Sequence, residues 1–170
     1  MKAKSGFTLV EILIVVVILG ILAAIVIPQF TSASTEAKES ALVSDLQSMR
    51  SQIELYKIHH NDNLPGVANG THIAGAGFAS AMTSKTNQDG VVGTDIALGF
   101  RFGPYMQSIP NNPFSTAAAT NSVGTGDAKL AVGDNSTAWY FVISGADAGA
   151  FQANDDKVNT FDNDTPHTAY

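Results

Sequence analysis

The sequence predicts an α+β fold in which a long N-terminal α-helix, apolar all round in its first half and one-sided in its second, packs on a small antiparallel β-sheet. Three observations carry this expectation. From Phe7 to Ile27 run 21 residues in which Glu11 is the sole ionisable side chain. Beyond Pro28, Leu42, Leu46, Met49, Ile53 and Tyr56 recur at spacings of 4, 3, 4 and 3. Residues Thr137 to Ser144 read Thr-Ala-Trp-Tyr-Phe-Val-Ile-Ser, aromatic and β-branched, between Gly133-Asp134-Asn135 and Gly145.

Taken in order, a helix over the 21 apolar residues would be about 31 Å long, enough to cross a hydrocarbon core. The 4-3-4-3 spacing puts five apolar side chains on one stripe, with Ser44, Asp45, Gln47, Arg50, Ser51 and Glu54 between them, so the second half is amphipathic and needs a sheet to cover it. Asn61-Asp62-Asn63, followed by Leu64-Pro65-Gly66, ends it, giving one helix from about Phe7 to His60. Gly20 and Pro28 are its weak points, by about 1 and about 3 kcal/mol in a helix interior, and mark where it would kink. His59-His60 with Asp62 reads as a solvated helix end rather than a metal site, because adjacent helical side chains diverge by about 100°.

Residues 67–99 are small, polar and Gly-rich, with Ala-Gly-Ala-Gly at 74–77, and read as a connecting loop with a short helix around Ala79–Thr83. Pro104, Pro110 and Pro113 then fix an extended path that ties this loop across the helix to the sheet. Lys129-Leu130-Ala131-Val132 and Gly149-Ala150-Phe151-Gln152-Ala153 flank the best strand, and the three together suggest an antiparallel meander.

Glu11 is the anomaly. An acidic side chain at the middle of a membrane helix costs roughly 2.5–3.5 kcal/mol, and less near an interface, so a charge kept there implies a partner. If the chain is cut after Gly6, Phe7 gains an α-amine, which is mostly protonated at neutral pH because such amines titrate near about 7.7–8.0. In a filament of parallel helices offset by a short axial step, Glu11 of one subunit would meet the Phe7 amine of the next, and the pairing would set the register of assembly.

At Gly6-Phe7-Thr8-Leu9-Val10-Glu11, before the Ile/Val/Leu run and with Pro28 beyond it, the chain resembles the type IV pilins and the type II secretion pseudopilins. The resemblance implies a leader of residues 1–6, a membrane or filament-core helix over 7–30, and an exported globular domain over 31–170 that includes the second half of the helix. It implies cleavage between Gly6 and Phe7 by a prepilin peptidase, N-methylation of Phe7, and a need for Glu11 in assembly. The expected product is a homopolymer built at an inner-membrane assembly platform. Around Gly20 and Pro28, such filaments can lose helical structure on assembly; a static kink is the alternative. The segment Phe102-Gly103-Pro104-Tyr105 through Ile109-Pro110 to Pro113-Phe114 resembles major pseudopilins and some related pilins. A secretion pseudopilus is therefore the alternative to a pilus-like filament.

Rival readings of the N-terminal segment are weaker. A secretory signal cut near Ser32-Ala33-Ser34 would have an apolar region of ~7–15 residues and no charge in it. A plain signal anchor, as in a membrane-tethered periplasmic binding protein, leaves Glu11 and Gly6-Phe7 unexplained. Lys2 and Lys4 before the span predict a single-pass precursor in the cytoplasmic membrane with its N-terminus inside. The bulk of the chain would end in the periplasm or at the cell surface.

Composition fits an exported acidic domain. The formal net charge of −6 becomes −8 when Lys2 and Lys4 leave, with seven Lys and Arg against 15 Asp and Glu, a poor balance for gripping nucleic acid. The absence of cysteine excludes a disulfide framework and a thiol nucleophile, and departs from adhesive pilins that close a C-terminal loop by a disulfide. No nucleophile elbow, phosphate loop or zinc-protease motif points to an enzyme. Asp147, Asp155 and Asp156, with Asp162 and Asp164 beyond, resemble the calcium-binding C-terminal loop of major pseudopilins, where a hard cation gathers oxygen ligands. Their spacing departs from that family, and a solvated acidic tail without any cofactor is the competing expectation.

Overall fold

A computed structural model describes residues 6–68, 71–73, 76–157 and 165–170. The fold is α+β, with the element order α1 (Leu9–His59), β1 (Val67–Ala68), β2 (Thr71–His72), α2 (Ala76–Thr83), a 3-10 turn (Ile96–Leu98), β3 (Val123–Gly126), β4 (Trp139–Val142), β5 (Phe151–Ala153) and a second 3-10 turn (His167–Ala169). The chain divides into two compact units, Met1–Ala37 and Lys38–Tyr170.

In the first unit the described side chains other than the half-buried Thr35 lie open to the surroundings: Phe7 is 85 % exposed, and Ile12 to Ile27 offer a continuous apolar surface. This part of α1 is long and apolar enough to cross a membrane. Pro28 lies inside the helix. The hydroxyls of Thr31 and Thr35 donate to Ile27 O and Thr31 O, a back-bonding that helices accept in place of solvation.

The second unit is organised by the amphipathic stripe. Leu42, Leu46, Met49, Ile53 and Tyr56 are all at most 1 % exposed, as the 4-3-4-3 spacing requires. They share one core with Phe78, Ala81 and Met82 of α2, Ile109, and Val123, Trp139, Phe141, Phe151 and Ala153 of the sheet. At about 1.5–3 kcal/mol for each fully buried large apolar side chain, this core is the main stabilising term of the domain. Helix α1 ends where Asn61 (φ 52°) and Asp62 (φ 62°) turn left-handed, a conformation that short polar side chains tolerate.

Two expectations need correction here. The three-stranded sheet has the order β3-β4-β5, and while β5 pairs antiparallel with β4, β3 pairs parallel, Val123 opposite Trp139 and Gly126 opposite Val142. The sheet is mixed, and Lys129–Val132 is no strand. Parallel neighbours need a crossover of about a dozen residues or more, and residues 127–138 are spent on it. Side chains fasten this crossover: Leu130 N donates to Gln152 Oε1 and Gln152 Nε2 to Leu130 O, at 3.2 and 3.0 Å. Gly133 lies so close to the backbone of Asp155 that any Cβ there would collide with it.

The second correction concerns the end of α1. His60 is fully buried, not solvated. Its ring stacks on Tyr56 at 3.8 Å, with Nδ1 2.8 Å from Tyr56 O and Nε2 2.8 Å from Thr86 Oγ1. Its neighbour His59 meets the Tyr105 hydroxyl at 3.0 Å. The proline-rich segment does tie the loop to the core: Tyr105 N and Met106 N bond Met82 O, and Trp139 Nε1 donates to Pro110 O at 2.8 Å. Residues 74–75 of the Gly-rich stretch lie outside the described set, and the short helix beyond them starts at Ala76, three residues earlier than expected.

Candidate functional site

The N-terminal end of α1 collects the residues singled out from the sequence. Ile12 N donates to Thr8 O at 3.3 Å as the first intrahelical bond, so Thr8 is the N-cap and Glu11 the third helical residue. Glu11 N donates to Thr8 Oγ1 at 3.2 Å, and Glu11 Oε2 accepts from Thr8 N and Thr8 Oγ1, both at 2.7 Å. This is a capping box, in which two otherwise unpaired backbone donors are satisfied reciprocally. A carboxylate in the first turn also faces the positive end of the helix macrodipole.

The geometry supplies a local reason for Glu11 that charge arguments alone did not. Before any second subunit is involved, the side chain already accepts two bonds from Thr8, and the Glu11 N–H donates a third to the Thr8 hydroxyl. Its formal charge stays on an exposed surface beside Phe7. Thr8 was the residue missed, and the signal for it was the Thr-x-x-Glu spacing that precedes an apolar run. Gly6 and Phe7 are exposed and precede the helix. Residues 1–5 of the expected leader lie outside the described residues. Gly20 faces open space on the helix surface, with no heavy atom near enough to meet a Cβ.

The carboxylates considered for a cation take separate partners. Asp147 pairs with Lys129 at 3.2 Å and Asp156 with Lys157 at 3.1 Å, both at the surface. Asp155 is fully buried, its Oδ1 2.7 Å from His167 Nδ1 and its Oδ2 accepting from Asn112 Nδ2 at 2.9 Å. Calcium coordination would require Asp147 and Asp156 to leave their lysines and Asp155 to leave His167. Among the described residues no group of three or more His, Asp or Glu is arranged to hold a metal ion. Asp162 and Asp164 lie outside the described residues.

His167, which the sequence reading passed over, joins distant parts of the second unit. Its Nε2 lies 3.1 Å from Glu39 Oε1 on α1, and Glu39 Oε2 accepts from the Tyr170 hydroxyl at 3.2 Å. Glu39 is 2 % exposed and His167 fully buried. Burial alone would discharge the ring, but the hydrogen bonds and charges of Asp155, then of Glu39, outweigh it and hold the His167 pKa above its ordinary value. The Arg50 guanidinium donates to Phe151 O at 2.8 and 3.1 Å and to Tyr170 O, fixing the same C-terminal segment from a second point on α1.

Comparison with known proteins places this arrangement. Residues 1–27 match the family described as "Prokaryotic N-terminal methylation motif". The type II secretion system core protein G of Pseudomonas aeruginosa is 46% identical over 57 residues, 34% of this chain and 40% of that protein. Its counterpart in Vibrio cholerae is 29% identical over 114 residues, 67% of this chain and 68% of that one. A fimbrial protein of Pseudomonas aeruginosa is 33% identical over 110 residues, 58% of this chain and 71% of its own length. The chain belongs to the type IV pilin and pseudopilin family. No solved structure matches it significantly. For a pilin-family chain the long apolar helix and the small sheet domain are the expected two parts.

Proposed function

We propose that this protein is the structural subunit of a pilus-like filament. Its precursor is held in the cytoplasmic membrane by the first half of α1, processed by prepilin peptidase between Gly6 and Phe7, and polymerised through that same helix. The observation that carries this is the exposed apolar surface from Phe7 to Ile27 headed by Thr8 and Glu11. Lipid is as apolar as a neighbouring helix, so specificity of assembly has to come from close packing and from the pairing of Glu11 with the Phe7 amine of the next subunit. A secretion pseudopilus is the second reading, favoured by the similarity to the core G proteins of type II secretion systems and by the Phe102 to Phe114 segment. The inner-membrane assembly platform would be the first partner in either case.

Mass spectrometry of the N-terminal peptide, from protein purified out of its own envelope, tests the processing step. A peptide starting at N-methylated Phe7 is expected. An intact Met1, or a start after Ser34, would refute the assignment. Replacing Gly6 by a bulkier residue should leave the leader attached, since the peptidase must bind the backbone at the cut closely, and a Phe7 N-terminus in that variant would show that the cut lies elsewhere.

A further inference from the structure

We propose that the C-terminal segment 165–170 is held on the domain by a single proton: a charged His167 bridges Glu39 and Asp155, and the segment loosens as the medium turns alkaline. A neutral imidazole has one N–H and one lone pair, whereas here both ring nitrogens face carboxylate oxygens, at 2.7 and 3.1 Å. A neutral ring would aim its lone pair at one of those carboxylates inside a buried site.

The proton belongs on the ring rather than on either acid. Asp155 already accepts from Lys157 N at 3.1 Å and from Asn112 Nδ2 at 2.9 Å besides the histidine. Glu39 accepts from the Tyr170 hydroxyl. Protonating either carboxyl would give up acceptor capacity that these donors occupy. Among the described residues, the groups facing the ring from each packed element are Glu39 of α1, Asp155 after β5, and the rings of Phe114 and Tyr170. Of the nearby cations, Lys157 turns its ammonium to Asp156, and Arg50 donates to Phe151 O and Tyr170 O.

The sign follows from the raised pKa of the folded ring. The stabilisation is fully present below the unfolded value of about 6.5 and is lost as pH rises through the higher folded one. His60 works in the opposite sense, because burial lowers its pKa and keeps it neutral in the fold. Melting of the whole domain therefore mixes two opposing trends, and the latch needs a local readout. The inference rests on the fold of the second unit and holds for a pilus and for a pseudopilus alike.

The full chain, isotopically labelled at histidine and held in detergent micelles, serves for the test. Ring-nitrogen chemical shifts should show both nitrogens of His167 protonated at pH 7, the signal being assigned by its loss in His167→Gln. On raising the pH, the ring should deprotonate at a higher midpoint than the unfolded value of about 6.5, and amide hydrogen exchange in 165–170 should speed by at least about tenfold across that midpoint. Glu39→Gln should lower the midpoint. A neutral His167 at pH 7, deprotonation without faster exchange of 165–170, or a midpoint unmoved by Glu39→Gln would each overturn the latch.

Discussion

Glu11→Gln is expected to leave the start of α1 intact and yet reduce entry into filaments by about 100-fold or more. Glutamine serves a capping box as well as glutamate does, so the bonds with Thr8 survive and the helix still begins at Leu9. What disappears is the charge. In the core of a filament the Phe7 amine would then be buried without its counter-ion, and breaking a buried pair by removing one partner costs about 3–5 kcal/mol, of which about 2.8 already corresponds to a 100-fold loss. Glu11→Ala removes both cap and charge and should assemble no better. Quantifying sheared filaments against membrane-held, correctly cut subunit separates the two roles. If the glutamine variant polymerises normally while the alanine variant does not, the cap is the essential function and the pairing with Phe7 is wrong. Normal filament yield from both would remove Glu11 from assembly altogether.

Trp139→Ala should lower the stability of the globular unit by about 3–5 kcal/mol, the range for truncating a large buried aromatic. The indole is fully buried, stacks on Phe151 at 5.6 Å, and donates from Nε1 to Pro110 O at 2.8 Å. Its removal opens a cavity in the central strand and unties the proline-rich segment in one step. Small domains have about 5–15 kcal/mol in all, so the variant should lie near the edge of folding. Denaturant titration, read by the circular dichroism of the domain, gives the number. A loss below about 1 kcal/mol would mean that the segment around Pro110 and the core collapse into the space far better than a close-packed interior allows.

Legibility in the sequence followed the range of the interactions. Leu42, Leu46, Met49, Ile53 and Tyr56 were readable because a helix repeats every few residues, and all five are in the core. Trp139 to Val142 was readable from residue type alone. By contrast, β3 reads Val-Gly-Thr-Gly, a composition that suits a turn, and becomes a strand only because β4 offers it a ladder. Lys129 to Val132 has better strand residues but is consumed by the crossover that a parallel pair demands. His60 was misjudged for a related reason: its burial depends on Thr86 and on Phe102, whose ring centroid is 5.3 Å away, both far along the chain. The Glu39, Asp155 and His167 cluster joins three places with no shared period or motif, and nothing local announces it. The capping box at Thr8 and Glu11 is the exception, a local signal that was present and was overshadowed by the charge.

The bonds from His167 to Glu39, 128 residues earlier, and from Arg50 to Phe151, 101 residues later, bear on when the globular unit can fold. Contacts this remote in sequence make folding slow, because the closure of long loops has to be bought before the contacts return anything. At about 5–20 residues per second of synthesis, α1 is complete many seconds before residues 165–170 exist. During that interval the stripe from Leu42 to Tyr56 has no sheet to lie on and Glu39 no histidine. The first half of the helix, needing only its own hydrogen bonds and an apolar surrounding, can settle at once. The chain is thus ordered in time as well as in space: the apolar half of α1 forms early, and the domain that follows it is finished only when residues 165–170 have been made.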